Sequence, residues 1–250
     1  MTAQISIKKP EEIELMYQAG KLLAGVRDVL KKEIKAGITT GFLDKLAEEL
    51  IRESQAEPAF KGYRGFPGSI CASLNNQVVH AIPGSRKLVE GDILSVDIGI
   101  KYKGYFSDLA FTQGIGRITP EAKRLIASTQ KALFKGIKKA RDGGFLSDIS
   151  YAIECFAKRD GFSVVREFVG HGIGKELHEE PPIPNFGPPG QGPRLKEGMV
   201  LAIEPMVNIG GSEVKIEKDN WTVVTRDGSL SAHFEHTVAI TSRGPKILTR

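Results

Sequence analysis

Four carboxylates lie inside stretches of this chain that are otherwise too apolar to face water. Asp97 follows Ile93, Leu94 and Val96, and Asp108 stands on the return of the same hairpin-like segment, in Tyr105-Phe106-Ser107-Asp108. Glu204 ends Met199-Val200-Leu201-Ala202-Ile203, and Glu235 leads from Ala232-His233-Phe234 into Thr237-Val238. A carboxylate taken out of water without a partner is costly enough that it is protonated, paired or bound to metal. One such residue is ordinarily a structural ion pair, and two on an edge hairpin can be solvated. Four in four strand-like segments restrict the chain to folds that gather them around positive charge, and a shared cation accounts for all four.

The first pair makes the point sharply. Lys101–Lys103 with Gly104 reads as the turn, and positions 97 and 108 are symmetric about a point between Tyr102 and Lys103. That register predicts Asp97 and Asp108 as cross-strand partners about 4.5–5.5 Å apart, where like charges destabilise a sheet unless a cation lies between them. His171 adds a nitrogen donor within Phe168-Val169-Gly170-His171-Gly172-Ile173-Gly174, where three glycines let the backbone pass close to a bulky group. A phosphate cradle is the competing reading, but the spacing misses the dinucleotide fingerprint and no P-loop Lys-Ser/Thr follows. Nor does His178-Glu179-Glu180-Pro181 carry the second histidine of a helical zinc-peptidase site. Four carboxylates and one imidazole suit hard or borderline divalent ions, two of them if carboxylates bridge. Two ions about 3.5–4 Å apart can hold a hydroxide, polarise a carbonyl and clamp an amine, which is the chemistry of metal-assisted amide hydrolysis.

The rest of the chain reads as a frame for this centre. Pro10–Ile34 is predicted as a helix with Leu15, Ala19, Leu22, Leu23, Val26 and Leu30 on one face; a second runs from Thr39 or Thr40 to Arg52. Strands are expected at Ser69–Leu74, Gln77–Ile82 and Asp92–Ile100, helices at Pro120 to about Arg141 and Ser147 to about Arg159. Further strands are expected at Phe162–Phe168, Met199–Ile209, Trp221–Thr225 and His233–Ile240, with a proline-rich covering loop over Glu180–Arg194. Helices then strands, twice over, suggests a duplication. A shift of 106 residues pairs Gly37 with Gly143, Leu43 with Ile149, Ala47 with Ile153, Glu48 with Glu154 and Leu50 with Phe156. The expectation is one domain over 1–250, with halves 1–115 and 116–250 and the metal site at their junction, where pockets tend to form.

The set Asp97, Asp108, His171, Glu204 and Glu235, together with Val96-Asp97-Ile98-Gly99, Val169–Gly174, His178–Pro181, Ile203-Glu204-Pro205-Met206 and Glu235-His236-Thr237, resembles the type I methionine aminopeptidases over nearly the whole chain. The resemblance implies the duplicated α/β (α+β) pita-bread fold, two pseudo-symmetric halves with a central antiparallel sheet and outer helices. It implies removal of N-terminal methionine from newly made proteins with a small second residue, by attack of a metal-bound hydroxide on the scissile amide. Asp97 would chelate one ion, His171 and Glu204 the other, and Asp108 and Glu235 would bridge both. Glu204 would double as general base. His178 would stabilise the tetrahedral intermediate, His80 would contact substrate, and His236 would orient a ligand from outside the first ring of donors. Tyr63, Phe66, Cys71 and Trp221, with Phe60 and Leu177, would line the methionine pocket. His233 receives no role. The cofactors expected are two divalent ions among Co, Mn, Fe and Zn.

Proline-specific aminopeptidases and dipeptidases share the fold and ligands, but they usually carry an extra N-terminal domain for which this chain has no room. Type II methionine aminopeptidases carry a helical insertion that is absent here. A non-catalytic binding protein on the same scaffold would have no need of five costly polar groups. No apolar run approaches the roughly 20 residues of a membrane span, and the start Met1–Lys9 has no apolar signal core. Two cysteines make no disulfide framework. A cytoplasmic monomer is expected; its net charge of +5 reads first as ordinary solubility charge, with attraction to an RNA-rich surface such as the ribosome as the sharper alternative, and no specific nucleic-acid recognition is indicated. Its partners would be nascent N-termini, and Met1 before Thr2 makes the chain a substrate of its own activity.

Overall fold

The computed structural model describes residues 5–250, so Met1-Thr2 and the expected loss of Met1 lie outside the described residues. Helix α1 (Pro10–Glu33) begins on proline, whose missing N–H costs nothing in the first turn, with Glu11 and Glu12 at its positive end and Lys31 and Lys32 at its negative end. It buries Met16, Ala19, Leu23, Val26 and Leu30, while Leu15 and Leu22 are only half-buried. The C-terminal segment crosses this helix at Gly20, where a Cβ would collide with the Leu248 carbonyl oxygen. Helix α2 (Thr40–Glu53) is capped by Thr39, which accepts the Phe42 N–H at 3.1 Å. Helix α3 (Pro120–Ile137) is capped by Thr119 in the same way and stops short of Arg141, because Lys139 and Ala140 turn back on Gly136 and Ile137 in tighter bonds. Helix α4 (Leu146–Arg159) packs on α3.

Between α2 and α3 run β1 (Glu57–Pro58), β2 (Ile70–Leu74), β3 (Gln77–Val79), β4 (Ile93–Tyr102) and β5 (Tyr105–Gly114). After α4 come β6 (Ser163–Val164), β7 (Gly170–Gly172), β8 (Glu179–Ile183), β9 (Val200–Ile203) and β10 (Met206–Asn208). The chain closes with β11 (Val214–Ile216), β12 (Val223–Thr225), β13 (Ser231–His233), β14 (His236–Thr241) and β15 (Gly244–Ile247). Strand β4 pairs with β5 along one edge and with β1 and β2 along the other, and a five-stranded sheet has the order β15-β14-β9-β7-β8. Two small sheets, β13-β10-β6 and β11-β12-β3, join these, and every pairing is antiparallel. Helix α1 packs on β4 and β5, and α3 packs on β5, β9, β10 and β13, so the apolar core lies between outer helices and inner sheets.

Five sequence expectations are corrected here. The β4–β5 hairpin closes on Lys103-Gly104, both at positive φ (49° and 84°), a two-residue turn whose twist suits an antiparallel pair. The register therefore places Asp97 opposite Ala110 and Asp108 opposite Gly99, so the two carboxylates are diagonal neighbours on one face and not direct partners. The expected strand Met199–Ile209 breaks at Glu204-Pro205, where proline has no N–H to continue a ladder, and the expected strand His233–Ile240 breaks at Phe234-Glu235. Each of these two segments thus crosses between the five-stranded sheet and a small one, β9 to β10 outward and β13 to β14 back, with a glutamate at each crossing. The segment Phe162–Phe168 forms only the short β6, and the proline-rich loop opens with strand β8.

The repeat seen faintly in the sequence has a backbone counterpart. The bounds of α4 are those of α2 shifted by 106 residues. Gly37 N–H donates to Leu88 O and Gly143 N–H to Leu195 O, and isolated bridges join Thr39 to Lys87 and Phe145 to Arg194. From Lys87 onward one extra residue makes the offset 107, which sets Gly91 against Gly198, both at positive φ, and Asp97 against Glu204.

Candidate metal centre

Strands from both parts of the chain deliver the donors to one cavity of about 340 Å³. Asp97 comes from β4, Asp108 from β5 and His171 from β7, while Glu204 and Glu235 stand at the two strand breaks. All five line the cavity, as do His80 and His178. Its apolar wall contains Phe60, Tyr63, Phe66, Cys71, Leu177 and Trp221, with the Phe66 and Trp221 rings edge to face at 5.1 Å. His236 is placed differently from the outer-ligand position expected for it. Its Nδ1 meets Thr249 Oγ1 at 2.8 Å, its ring lies against Phe134, and it is absent from the cavity wall.

Burial without countercharge dominates the electrostatics. It pushes the carboxyls of Asp108 and Glu235 well above the usual carboxylate range, and the neighbouring acids push them further. Asp97 is raised to about 7 and Glu204 to about 8, again by burial. The histidines move the opposite way: buried His171 falls to about 3, helped by His178, while His178, exposed at the cavity mouth but crowded by its wall, falls to about 4 through partial desolvation and the Arg64 charge. Burial also holds His80 at about 4. These imidazoles are neutral and available as ligands or donors. His171 Nδ1 lies 2.8 Å from the Gly172 carbonyl oxygen, which can only accept, so the proton is on Nδ1 and the Nε2 lone pair faces the carboxylates. Its Nε2 is 3.6 Å from Glu204 Oε1. His178 Nδ1 is hydrogen-bonded to the Tyr63 hydroxyl at 2.9 Å.

Sequence reasoning missed the threonines that hold this centre. In the β4–β5 ladder the Asp108 amide and carbonyl point away from β4, and Thr237 satisfies both: its Oγ1 accepts the Asp108 N–H at 2.9 Å and donates to the Asp108 carbonyl at 2.8 Å. Thr112 does the same for His233, accepting its N–H at 2.9 Å and donating to its carbonyl at 2.8 Å. The Glu235 N–H donates to Ala110 O at 2.9 Å. Strand β5 is thereby stitched to β13 and β14 without a ladder between them. A Thr beside each acidic segment is the only signal the sequence carried, and threonine is too common in strands to be read that way.

The donors suit a cation. Asp97 Oδ1, Asp108 Oδ1 and Glu235 Oε1 are buried with no hydrogen-bond partner among the described residues. Asp108, His171 and Glu235 bring ligand atoms within 4.8 Å of one another, and so do Glu204, His233 and Glu235. Carboxylates this close and buried are relieved either by protonation, as their raised titration shows, or by a divalent ion that lets all of them ionise together.

Such a donor set on the rim of an apolar cavity, carried on duplicated helix–sheet units, defines a metallohydrolase. The model of metallopeptidase family M24 matches residues 14–242, and the chain belongs to that family. A methionine aminopeptidase of Bacillus subtilis is 54% identical over 98% of this chain and 99% of its own length. Among solved structures, methionine aminopeptidases from Rickettsia prowazekii (42% identical) and Thermotoga maritima (45% identical) each superpose with a TM-score of 0.97, covering 99% of this chain and 100% of theirs. The pita-bread arrangement of helices around antiparallel sheets is therefore the fold of this chain.

Proposed function

We propose that this protein is a metal-dependent aminopeptidase that removes the N-terminal methionine of newly made polypeptides when the second residue is small. The observation that carries the reading is the convergence of five donors, three with unpartnered oxygens, at a cavity of about 340 Å³ with an apolar wall. Asp97, Asp108, His171, Glu204 and Glu235 would hold two divalent ions, Co, Mn, Fe or Zn, with Asp97 on one, His171 and Glu204 on the other, and Asp108 and Glu235 shared. When bound, the ions supply Lewis acidity for the scissile carbonyl and acidify the attacking water.

The chain's own residues do the remaining work. Glu204 would take the proton of the attacking water and pass it to the leaving amine. His178, neutral and oriented by the Tyr63 hydroxyl, donates a hydrogen bond to the carbonyl oxygen as it gains charge. His80, with its ring edge to face on Phe168 at 5.5 Å, contacts the substrate amide. Tyr63, Phe66, Cys71 and Trp221, with Phe60 and Leu177, receive the unbranched, polarisable methionine side chain. The 250 residues form one domain, with halves 1–115 and 116–250 meeting at the metals. The protein acts as a cytoplasmic monomer on nascent chains, and its +5 charge favours the ribosome surface. No described helix is long and apolar enough to cross a membrane.

The test compares release of the first residue from Met-Ala-Ser, Met-Lys-Ser and Leu-Ala-Ser by metal-loaded protein. Rapid release from the first alone is expected. Equal rates on all three refute the assignment.

A further inference from the structure

His233 is the one histidine of the five to which neither the peptide chemistry nor the family resemblance gives a task. It is 1% exposed, at the end of β13, one residue before the break that carries Glu235. Thr112 grips its backbone from both sides, so the ring is held where it stands. Buried polar atoms in folded proteins almost always find a partner, yet His233 Nε2 has no hydrogen bond among the described residues. Glu204 Oε2 is only 3.4 Å away. That is within reach of a hydrogen bond, and none forms, so the nitrogen does not point along a line to that oxygen.

Atoms that share a cation have this relation to one another: a few ångströms apart, aimed at a common centre and not at each other. The same relation holds on the other side of Glu204, where Oε1 and His171 Nε2 are 3.6 Å apart without a hydrogen bond. Glu204 thus stands between two imidazoles, one facing each oxygen. Glu204, His233 and Glu235 also offer donor atoms that all lie within 4.8 Å of one another.

We propose that His233 is a metal ligand, its Nε2 giving a nitrogen donor to the ion held by Glu204 and Glu235. The inference rests on reading the site as a metal centre, and it adds a sixth protein ligand and a second imidazole to that centre. A second nitrogen donor moves the preference of that ion position away from Mn and Mg and towards Fe, Co and Zn, which imidazole suits better. The competing role, a hydrogen bond that merely steadies Glu204, requires the bond that the geometry lacks.

The experiment uses the full chain loaded with Co(II). An imidazole N–H on a ring bound to high-spin Co(II) gives a proton resonance shifted far outside the ordinary range, and it disappears in D2O. Two such resonances are expected in the wild type, from His171 and His233, and one in His233→Gln, a variant that keeps a hydrogen-bond donor. Calorimetric titration of that variant should show one Co(II) bound nearly as before. The other should be weakened by more than the roughly 10–100-fold that loss of an outer partner costs. A single shifted resonance in the wild type, or an unchanged pair in His233→Gln, overturns the proposal. Should the variant fail to fold, the wild-type spectrum still decides. A wild-type chain that takes up no cobalt would instead overturn the metal-centre reading itself.

Discussion

Thr237→Val removes one hydroxyl and keeps the shape of the side chain. In the native fold that hydroxyl is the partner of two buried backbone groups, the N–H and the carbonyl of Asp108, at 2.9 and 2.8 Å. Thr237 is fully buried, so water cannot replace it. Each buried polar group left unpaired costs about 1–3 kcal/mol, which puts the loss at about 2–6 kcal/mol. Domains of this kind are stable by only about 5–15 kcal/mol, so the effect is large enough to read in a urea titration. Thr237→Ser keeps the hydroxyl and deletes a buried methyl, and it should cost only about 0.5–1.5 kcal/mol. Because Asp108 is also a proposed ligand, Thr237→Val should weaken metal binding where Thr237→Ser does not. If the valine variant unfolds within about 0.5 kcal/mol of wild type, the clamp contributes nothing and the account of how Asp108 is positioned fails.

Two further predictions concern the centre itself. His178→Ala should lose about 10²–10³ in turnover while keeping its metals, as expected for a donor to a developing oxyanion, whereas His171→Ala should lose affinity for metal; equal metal loss in both would make His178 a ligand. Stripping the metals leaves Asp97 and Glu204 with carboxyls raised to about 7 and about 8 in the folded state. A raised carboxyl favours the fold below its ordinary value near 4 and loses that contribution as pH climbs through the raised one. The melting temperature of chelator-treated protein should therefore fall between about pH 5 and pH 9 more steeply than that of loaded protein, and a flat or rising trend would contradict the burial of these groups.

What the sequence by itself determined was chemistry and periodicity. Carboxylates in apolar runs cost too much to be incidental, so Asp97, Asp108, Glu204 and Glu235 identified the centre before any fold was known. Caps and helical spacing placed all four helices to within a few residues, since those signals are local. The register of the β4–β5 hairpin was also local, but it depended on whether the turn was centred between Tyr102 and Lys103 or consisted of Lys103-Gly104 alone, and the positive φ of Lys103 and Gly104 decides that through backbone twist. The breaks at Glu204 and Glu235 belong to tertiary structure, because each marks the point where one segment crosses between a small sheet and the five-stranded one. So do the Thr237 and Thr112 clamps, which join residues 129 and 121 positions apart. His233 and His236 show the limit most plainly. Three residues apart in sequence, they fall on opposite sides of the Glu235 break, one against the carboxylates and the other against Thr249. No spacing rule separates them, because the break that sends them apart is made by contacts with β5 and Pro205, far away along the chain.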